Sequence, residues 1–361
     1  MPRSPPLPLR PRLAGDTRQV PKVDPSALRA ALDAEVSHYQ AHALAENTQK
    51  NVSTALRAYA TYCMLTDDYP DPKEGVSDVQ LARYVAFLAR THAHSTIEQY
   101  ITNGPRLFQR QTLGLSWRVP SERFPVSTTL TGVKRLKGSG PTRRKHPITL
   151  QMLEAIAPYM ALGTSLQDRC LWAAWLTMFF GMLRKANTTT DGKASDLPRV
   201  IQRKDVLIEP GPRIRITVKH TKTIQFGQRA LAFYLPYRAD APPHMCPTRA
   251  LLAHLRDTVA FADGPLFAWA APQGAVGGLP GAVPYSAFLS RLKTVLTAAG
   301  LPAENYASHS FRRGGATWAF LLGMDEHMIM TLGDWKSPVW REYAEVVLEL
   351  RRRGAELFGR H

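Results

Sequence analysis

The stretch HSFRRGGATWAF, residues 309–320, sets a histidine, two arginines and two glycines at the mouth of an apolar helix. His309 and Arg312 are three positions apart, so on a helix both side chains lie on one face. A helix N-terminus adds free N–H groups and the positive end of a dipole, which together favour an anion. Phosphate is the first anion to consider. The same residues also fit a basic, solvated helix start with a satisfied histidine, and the rest of the chain has to decide between the two.

The 361-residue chain is long enough for two domains, each with a core. Lys and Arg number 46 against 29 for Asp and Glu, and the net charge of +17 points to a polyanionic partner. Nucleic acid and an acidic membrane surface are the two candidates. The longest apolar run, LWAAWLTMFFGML at 171–183, is too short for a bilayer, which needs about 20 residues, and fits a buried core helix. No membrane partner is therefore expected. No apolar leader follows Met1, so no secretory signal is expected. Cys63, Cys170 and Cys246 are scattered and form no CxxC pair, which suits a reducing, intracellular compartment.

Residues 1–24 are rich in Pro and Arg and are expected to form a disordered basic tail. Residues 25–137 show helical periodicity in successive segments, with Asn47 and Ser77 as N-cap candidates and a break near Gly104-Pro105. They predict a small helical domain of four or five helices to about residue 115, with VSTTLTGVKRLK as a last short helix. Residues 138–147, GSGPTRRKHP, form the expected linker, whose Arg143, Arg144 and Lys145 suit a phosphate backbone if one lies nearby. A second domain, 148–361, opens with Thr149 as a cap and continues into a helix that is apolar nearly all round past Cys170. VLIE, RIRITVKH and RALAFYLP then predict a three-stranded antiparallel sheet, and the remainder is helical again. The fold class is thus mainly α with one small antiparallel sheet. The loop 274–281 is Gly-rich but lacks a following GK[ST], which excludes a P-loop.

Within the second domain several chemistry-bearing residues follow in order. Arg184 ends the most apolar helix, where a charge must be paired or aimed into a site. Lys222 stands in HTKTIQFG at the expected hairpin tip, with Lys219 as a rival placed within the strand. His309 and Arg312 share a helix face, Trp335 follows in LGDWKS, and Tyr343 in WREYAE.

The order Arg, hairpin Lys, His-x-x-Arg, Trp, Tyr resembles the tyrosine recombinase (phage integrase) family over roughly residues 147–350. LRKAN, KTIQFG, CPTRAL, HSFRRGGAT and LGDWKS look most like the recombinases of eukaryotic mobile elements such as DIRS-type retrotransposons and Cryptons. The helices of 25–137 are similar to that family's core-binding domain. Asn187 stands where many bacterial members have Glu or Asp, and Trp335 where they often have histidine.

The resemblance implies a two-domain clamp on duplex DNA that cleaves and rejoins strands as a tetramer on two duplexes. Tyr343 would be the nucleophile, leaving a covalent 3′-phosphotyrosine and a 5′ hydroxyl. Arg184 and Arg312 would fork onto the non-bridging oxygens. Lys222 would protonate the leaving 5′ oxygen. His309 would hydrogen-bond the phosphate or accept the tyrosine proton, and Trp335 would pack beneath the site. No cofactor, metal or ATP is implied. Arg313 is expected one position round from Arg312, as a second DNA contact or an ion pair, and Lys219 as a further DNA contact. Gly314 and Gly315 would let the helix approach its neighbours or the DNA closely, while Thr317, Trp318 and Phe320 fit a core better than DNA stacking. His92, His94 and His244 lack the clustered partners a zinc site needs. Two other readings stay open: relaxation of supercoiled DNA by similar chemistry, as in type IB topoisomerases, and a domesticated element protein that binds DNA without turnover. A eukaryotic mobile-element enzyme would act in the nucleus.

Overall fold

A computed structural model describes residues 24–138, 145–160, 165–191, 198–211, 213–221, 224, 229–258, 262–269, 282–342, 355–356 and 359. The expectations for the 1–24 tail, for Arg143 and Arg144, for Lys222, for the loop 274–281 and for Tyr343 with the helix after it lie outside these residues, save Asp24 and residues 355–356 and 359. The chain divides into two compact units, Met1–Thr142 and Arg143–His361.

The first unit is all helical: α1 Pro25–Ala41, α2 Glu46–Thr66, α3 Asp78–Ala89, α4 His94–Asn103, α5 Pro105–Gln111 and α6 Phe124–Lys137. Asp24 caps α1 by accepting from the Ser26 amide at 3.0 Å. Ser77 caps α3 as predicted, accepting from the Gln80 amide at 3.1 Å. Asn47 is not a cap, because α2 starts one residue earlier, after Ala45. The side chain of Gln49 instead ties this start to the preceding turn, donating to the Ala41 and Leu44 carbonyls. The break expected near Gly104-Pro105 divides α4 from α5, since Pro105 has no N–H to donate to a continuing helix. The core packs Tyr59, Tyr62, Leu81, Tyr84, Val85, Ile97, Ile101 and Val126.

The second unit is mainly helical around one small sheet. Its helices are α7 Leu150–Met160, α8 Leu166–Phe180, α9 Pro247–Asp257, α10 Tyr285–Ala298, α11 Ser308–Leu321 and α12 Glu326–Gly333. The strands β1 Val206–Glu209, β2 Arg213–Val218 and β3 Leu231–Leu235 form an antiparallel sheet in that order, as their alternation predicts. Residues 145–147 of the expected linker lie along this unit. The His146 amide donates to the Asn305 carbonyl at 2.8 Å, and Ile148 next to it donates to Ser310 at 3.0 Å.

α8 is the central helix. Every residue from Cys170 to Phe179 is buried, which is what an apolar surface on all sides requires. α11 lies against it through Gly314 and Gly315. A Cβ on Gly314 would run into the Ile148 carbonyl and the Phe179 ring, and one on Gly315 into the Phe179 carbonyl. The two glycines therefore serve close packing against the protein's own backbone. Phe311 fills the space beside them, with its ring centroid 5.6 Å from Trp175 and 5.8 Å from Phe288. Thr317 is buried, and Trp318 and Phe320 pack against the cores, as expected.

Gly314→Ala should lower the stability of the second unit by about 3 kcal/mol, because the obstructing atoms are backbone. Gly132→Ala, in open space within α6, should be neutral or stabilising by about 0.5–1 kcal/mol. Chemical denaturation of the two variants beside the parent checks both values.

Candidate active site

Arg312 lies in the second turn of α11 and is buried, at 3% exposure. A buried guanidinium must have its charge and donors met by protein. One Nη donates to the Met182 carbonyl, and the other donates to the Gly333 carbonyl at 2.7 Å. Its central carbon stands 4.1 Å from the centroid of the Trp335 ring, a cation–π contact. Arg312 thus joins three segments: its own helix, the turn after α8 and the end of α12.

Both acceptor turns are unusual. Met182 and Asp334 have φ of +48° and +53°, two of the three non-glycine residues in the left-handed region among those described. Such conformations cost of order 1 kcal/mol and persist where the surroundings hold them. Here the left-handed turn at Met182 puts its own carbonyl in front of Arg312, and the one at Asp334 follows the Gly333 carbonyl directly.

Arg184 does not end α8 as the apolar run suggests. The helix stops at Phe180, capped by Gly181, where a Cβ would strike the Phe233 ring, and Arg184 follows four residues later at a short 3₁₀ turn, Lys185–Asn187. It is half-buried. Asn187 fixes its backbone: Oδ1 accepts from the Arg184 amide at 3.3 Å, while Nδ2 donates to the His220 carbonyl at 2.7 Å just past β2. A carboxylate at 187 could not make that second bond, because it has no hydrogen to donate.

His309 sits one turn before Arg312 and keeps an open face to solvent. The protein packed around the ring disfavours an imidazolium, and the charges of Arg312, Arg313 and Arg184 oppose it further, lowering its pKa to about 4. His309 is therefore neutral at neutral pH. Arg184 is thus within electrostatic range of His309, as are Arg312 and Arg313, and Trp335 lies against Arg312.

The other predicted contacts divide. Arg313 is a correction: at 2% exposure it is among the largest fully buried side chains, so it is an interior residue and not a surface contact for DNA. Lys219 lies just beyond β2, not within it, and forms an ion pair with the buried carboxylate of Asp205. Lys145 is exposed and donates through Nζ to the Glu304 carbonyl at 2.6 Å.

Sequence reasoning missed Met182, Gly333, Asp334 and Trp340. The first two act through backbone carbonyls, which no side-chain pattern reveals. Asp334 accepts from the Thr221 hydroxyl at 2.8 Å and pairs with Arg229. Trp340, three positions before Tyr343, is buried in a small cluster with Met182, Ala316, Ile329 and Trp335. Its indole N–H donates to Glu326 at 3.2 Å, fixing the 3₁₀ turn Pro338–Glu342 to α12. Asp334 and Trp340 both flank residues singled out in the sequence, and only proximity in the chain hinted at them.

No protein-family model and no curated protein matches the sequence. Among solved structures, the chain is similar to the Tn1549 transposon integrase in complex with transposon right end DNA. The TM-score is 0.55 at 12% identity, over 89% of this chain and 98% of that one. It is also similar to XerH site-specific recombinase bound to palindromic difH substrate in a post-cleavage complex. There the TM-score is 0.50 at 14% identity, over 79% of this chain and 73% of that one. At these identities the likeness is one of fold: the helical second unit with its three-stranded antiparallel sheet has the tyrosine recombinase catalytic fold.

Two outcomes follow from the geometry. Titration of His309 followed by NMR should show a midpoint near 4 in the free protein, moving upward when a phosphate-bearing duplex is added, because an anion offsets the three arginines. The folded pKa lies below the ordinary histidine value, so the unfolded chain takes up this proton first. Stability should then fall as pH drops from about 6.5 towards 4, and His309→Asn should remove that part of the slope. Arg312→Ala should cost roughly 2–5 kcal/mol in denaturant melts, since it strands the Met182 and Gly333 carbonyls under Trp335.

Proposed function

We propose that the protein is a site-specific DNA recombinase or integrase that cleaves and rejoins duplex DNA through a covalent 3′-phosphotyrosine. The observation that carries this reading is that the charges of Arg312 and Arg184 both reach the neutral, exposed His309, with Trp335 against Arg312, on a catalytic fold similar to that of DNA-bound recombinases. The order of residues in the sequence adds Lys222 and Tyr343, and the net charge of +17 supports a duplex as partner.

Tyr343 attacks the scissile phosphorus. A bond forms from its phenolic oxygen to phosphorus as the bond to the 5′ oxygen breaks. The tyrosine proton passes to a base, a role His309 can take once the bound phosphate offsets the arginine charges that oppose its protonation. Charge that builds on the non-bridging oxygens is met by Arg184 and Arg312. Lys222 gives the leaving 5′ oxygen its proton. Reversal by a 5′ hydroxyl from a partner duplex reseals the strand, so bond energy is kept and no ATP is consumed. The helices of the first unit and the basic run Arg143, Arg144 and Lys145 would add phosphate contacts. Four copies on two duplexes, action inside the cell (in the nucleus of a eukaryotic host) and descent from a mobile element of DIRS or Crypton type complete the proposal. A DNA-binding protein without turnover remains the alternative if no cleavage occurs, and relaxation of supercoiled DNA by a monomer would favour a topoisomerase-like activity.

Arg312 bears on how this is tested. Because it is also a packing residue, loss of activity in Arg312→Ala would not separate chemistry from folding, and Tyr343→Phe is the cleaner variant. Incubated with nicked duplexes drawn from both flanks of its own gene, wild type should give a slow protein–DNA band on a denaturing gel, and Tyr343→Phe none. A band that persists in Tyr343→Phe would overturn the mechanism.

A further inference from the structure

We propose that Lys185 is a further phosphate-binding residue: the Tyr285 ring holds its ammonium at the edge of the candidate site, where it takes a backbone phosphate of the duplex. The proposal rests on the reading of the protein as one that binds duplex DNA, and deepens it.

A surface lysine ordinarily samples many rotamers, and ordering it costs entropy. Lys185 is ordered from two directions. Its carbonyl accepts from the amides of Thr188 and Thr189, at 3.0 and 2.8 Å, and from their hydroxyls, at 3.3 and 3.0 Å. These bonds fix its backbone in the 3₁₀ turn that follows Arg184. Its Nζ stands 3.9 Å from the centroid of the Tyr285 ring, a cation–π contact. Tyr285 is fixed in turn. Its amide donates to the Thr190 carbonyl at 2.9 Å, and its ring stacks on that of buried Phe288 with centroids 6.3 Å apart. Its hydroxyl accepts from Ser308 Oγ at 3.4 Å. Ser308 directly precedes His309 on α11, and Arg184 directly precedes Lys185. One ring thus touches the segments that carry Arg184 and His309, and the ammonium lies on that ring.

The ammonium keeps donors for a ligand. Its side chain is 42% exposed, and its one carboxylate partner among the described residues, Asp191, is 3.5 Å away and 62% exposed. An ion pair of that length in water holds weakly. The ring face meets one side of the ammonium and accepts none of its three N–H groups in a full hydrogen bond. The charges of Arg184, Arg312 and Arg313 already act on His309, so a lysine in the adjoining turn extends one positive field. A forked guanidinium suits the reacting phosphate, and a point charge suits a phosphate that is only held. Because the lysine is ordered beforehand, binding a phosphate costs it little further entropy.

The test is equilibrium binding of the full chain to duplexes from both flanks of its own gene, over a series of salt concentrations. Each phosphate contact contributes about 0.9 to the slope of log affinity against log salt. Lys185→Gln should make the slope shallower by about that amount and weaken binding about 8-fold at about 0.1 M salt. Lys185→Arg should keep both. Tyr285→Leu leaves the charge without its support, so the slope should stay while affinity falls about 2–10-fold, the cost of ordering the freed side chain. Tyr285→Phe keeps the ring and should bind as wild type does. Lys185 is not among the charges that act on His309, so His309 should still titrate near 4 in Lys185→Gln. A midpoint moved towards the ordinary histidine value would assign the loss to a distorted site and overturn the proposal. Equal losses in Lys185→Gln and Lys185→Arg would do the same. An unchanged slope in Lys185→Gln would overturn the contact and leave the recombinase reading standing. Unchanged affinity in Tyr285→Leu would overturn the role of the ring. Wild type that binds no duplex would overturn the recombinase reading, and the contact with it.

Discussion

A guanidinium placed where water cannot reach it imposes the main constraint on the second unit. Arg312 is buried, and its charge has to be met by backbone carbonyls and an aromatic face. The turn after α8 is left-handed at Met182 and the chain after α12 is left-handed at Asp334, and these two departures set the acceptors and their neighbours in place. The charge that would meet a phosphate thus also organises three segments. A fixed cation of this kind needs little rearrangement when an anion arrives, which is the condition under which electrostatic stabilisation is strongest.

That geometry requires close packing underneath. α11 can bring Arg312 to the Met182 carbonyl only because Gly314 and Gly315 let it rest on backbone atoms of Ile148 and Phe179. α8 is buried on all sides because sheet, helices and α11 surround it. Core and site are therefore one structure, and substitutions in the glycine pair would move the arginine as well as lower stability. The hairpin is tied into it twice, by Asn187 to the Arg184 turn and by Asp334 to the Trp335 turn.

Much of the fold was legible in the sequence. The apolar run past Cys170, the alternation of VLIE, RIRITVKH and RALAFYLP, the cap at Ser77 and the break at Gly104-Pro105 predict elements that the structure contains. Each is a local signal, set by periodicity, capping or a missing N–H. Where a boundary depended on a distant neighbour, sequence reasoning missed it. α8 ends before Arg184, at Gly181 where Phe233 of β3 leaves no room for a Cβ, and α2 begins after Ala45 with Gln49 bonded back to the preceding turn.

The sequence alone determined which groups are available for chemistry: a His-x-x-Arg pair on one helix face, an arginine after the core helix, a tryptophan, and a strong positive charge. Those properties are side-chain chemistry and spacing, and they survive without coordinates. The tertiary structure decided what each group does. Burial made Arg313 an interior residue, as it did Arg312 beside it, although nothing in the basic sequence pattern sets either of them inside. Packing and three arginine charges keep His309 neutral. The Met182 and Gly333 carbonyls and the Asp334 carboxylate entered the site through contacts between segments 20 to more than 100 residues apart in sequence, which no local pattern encodes.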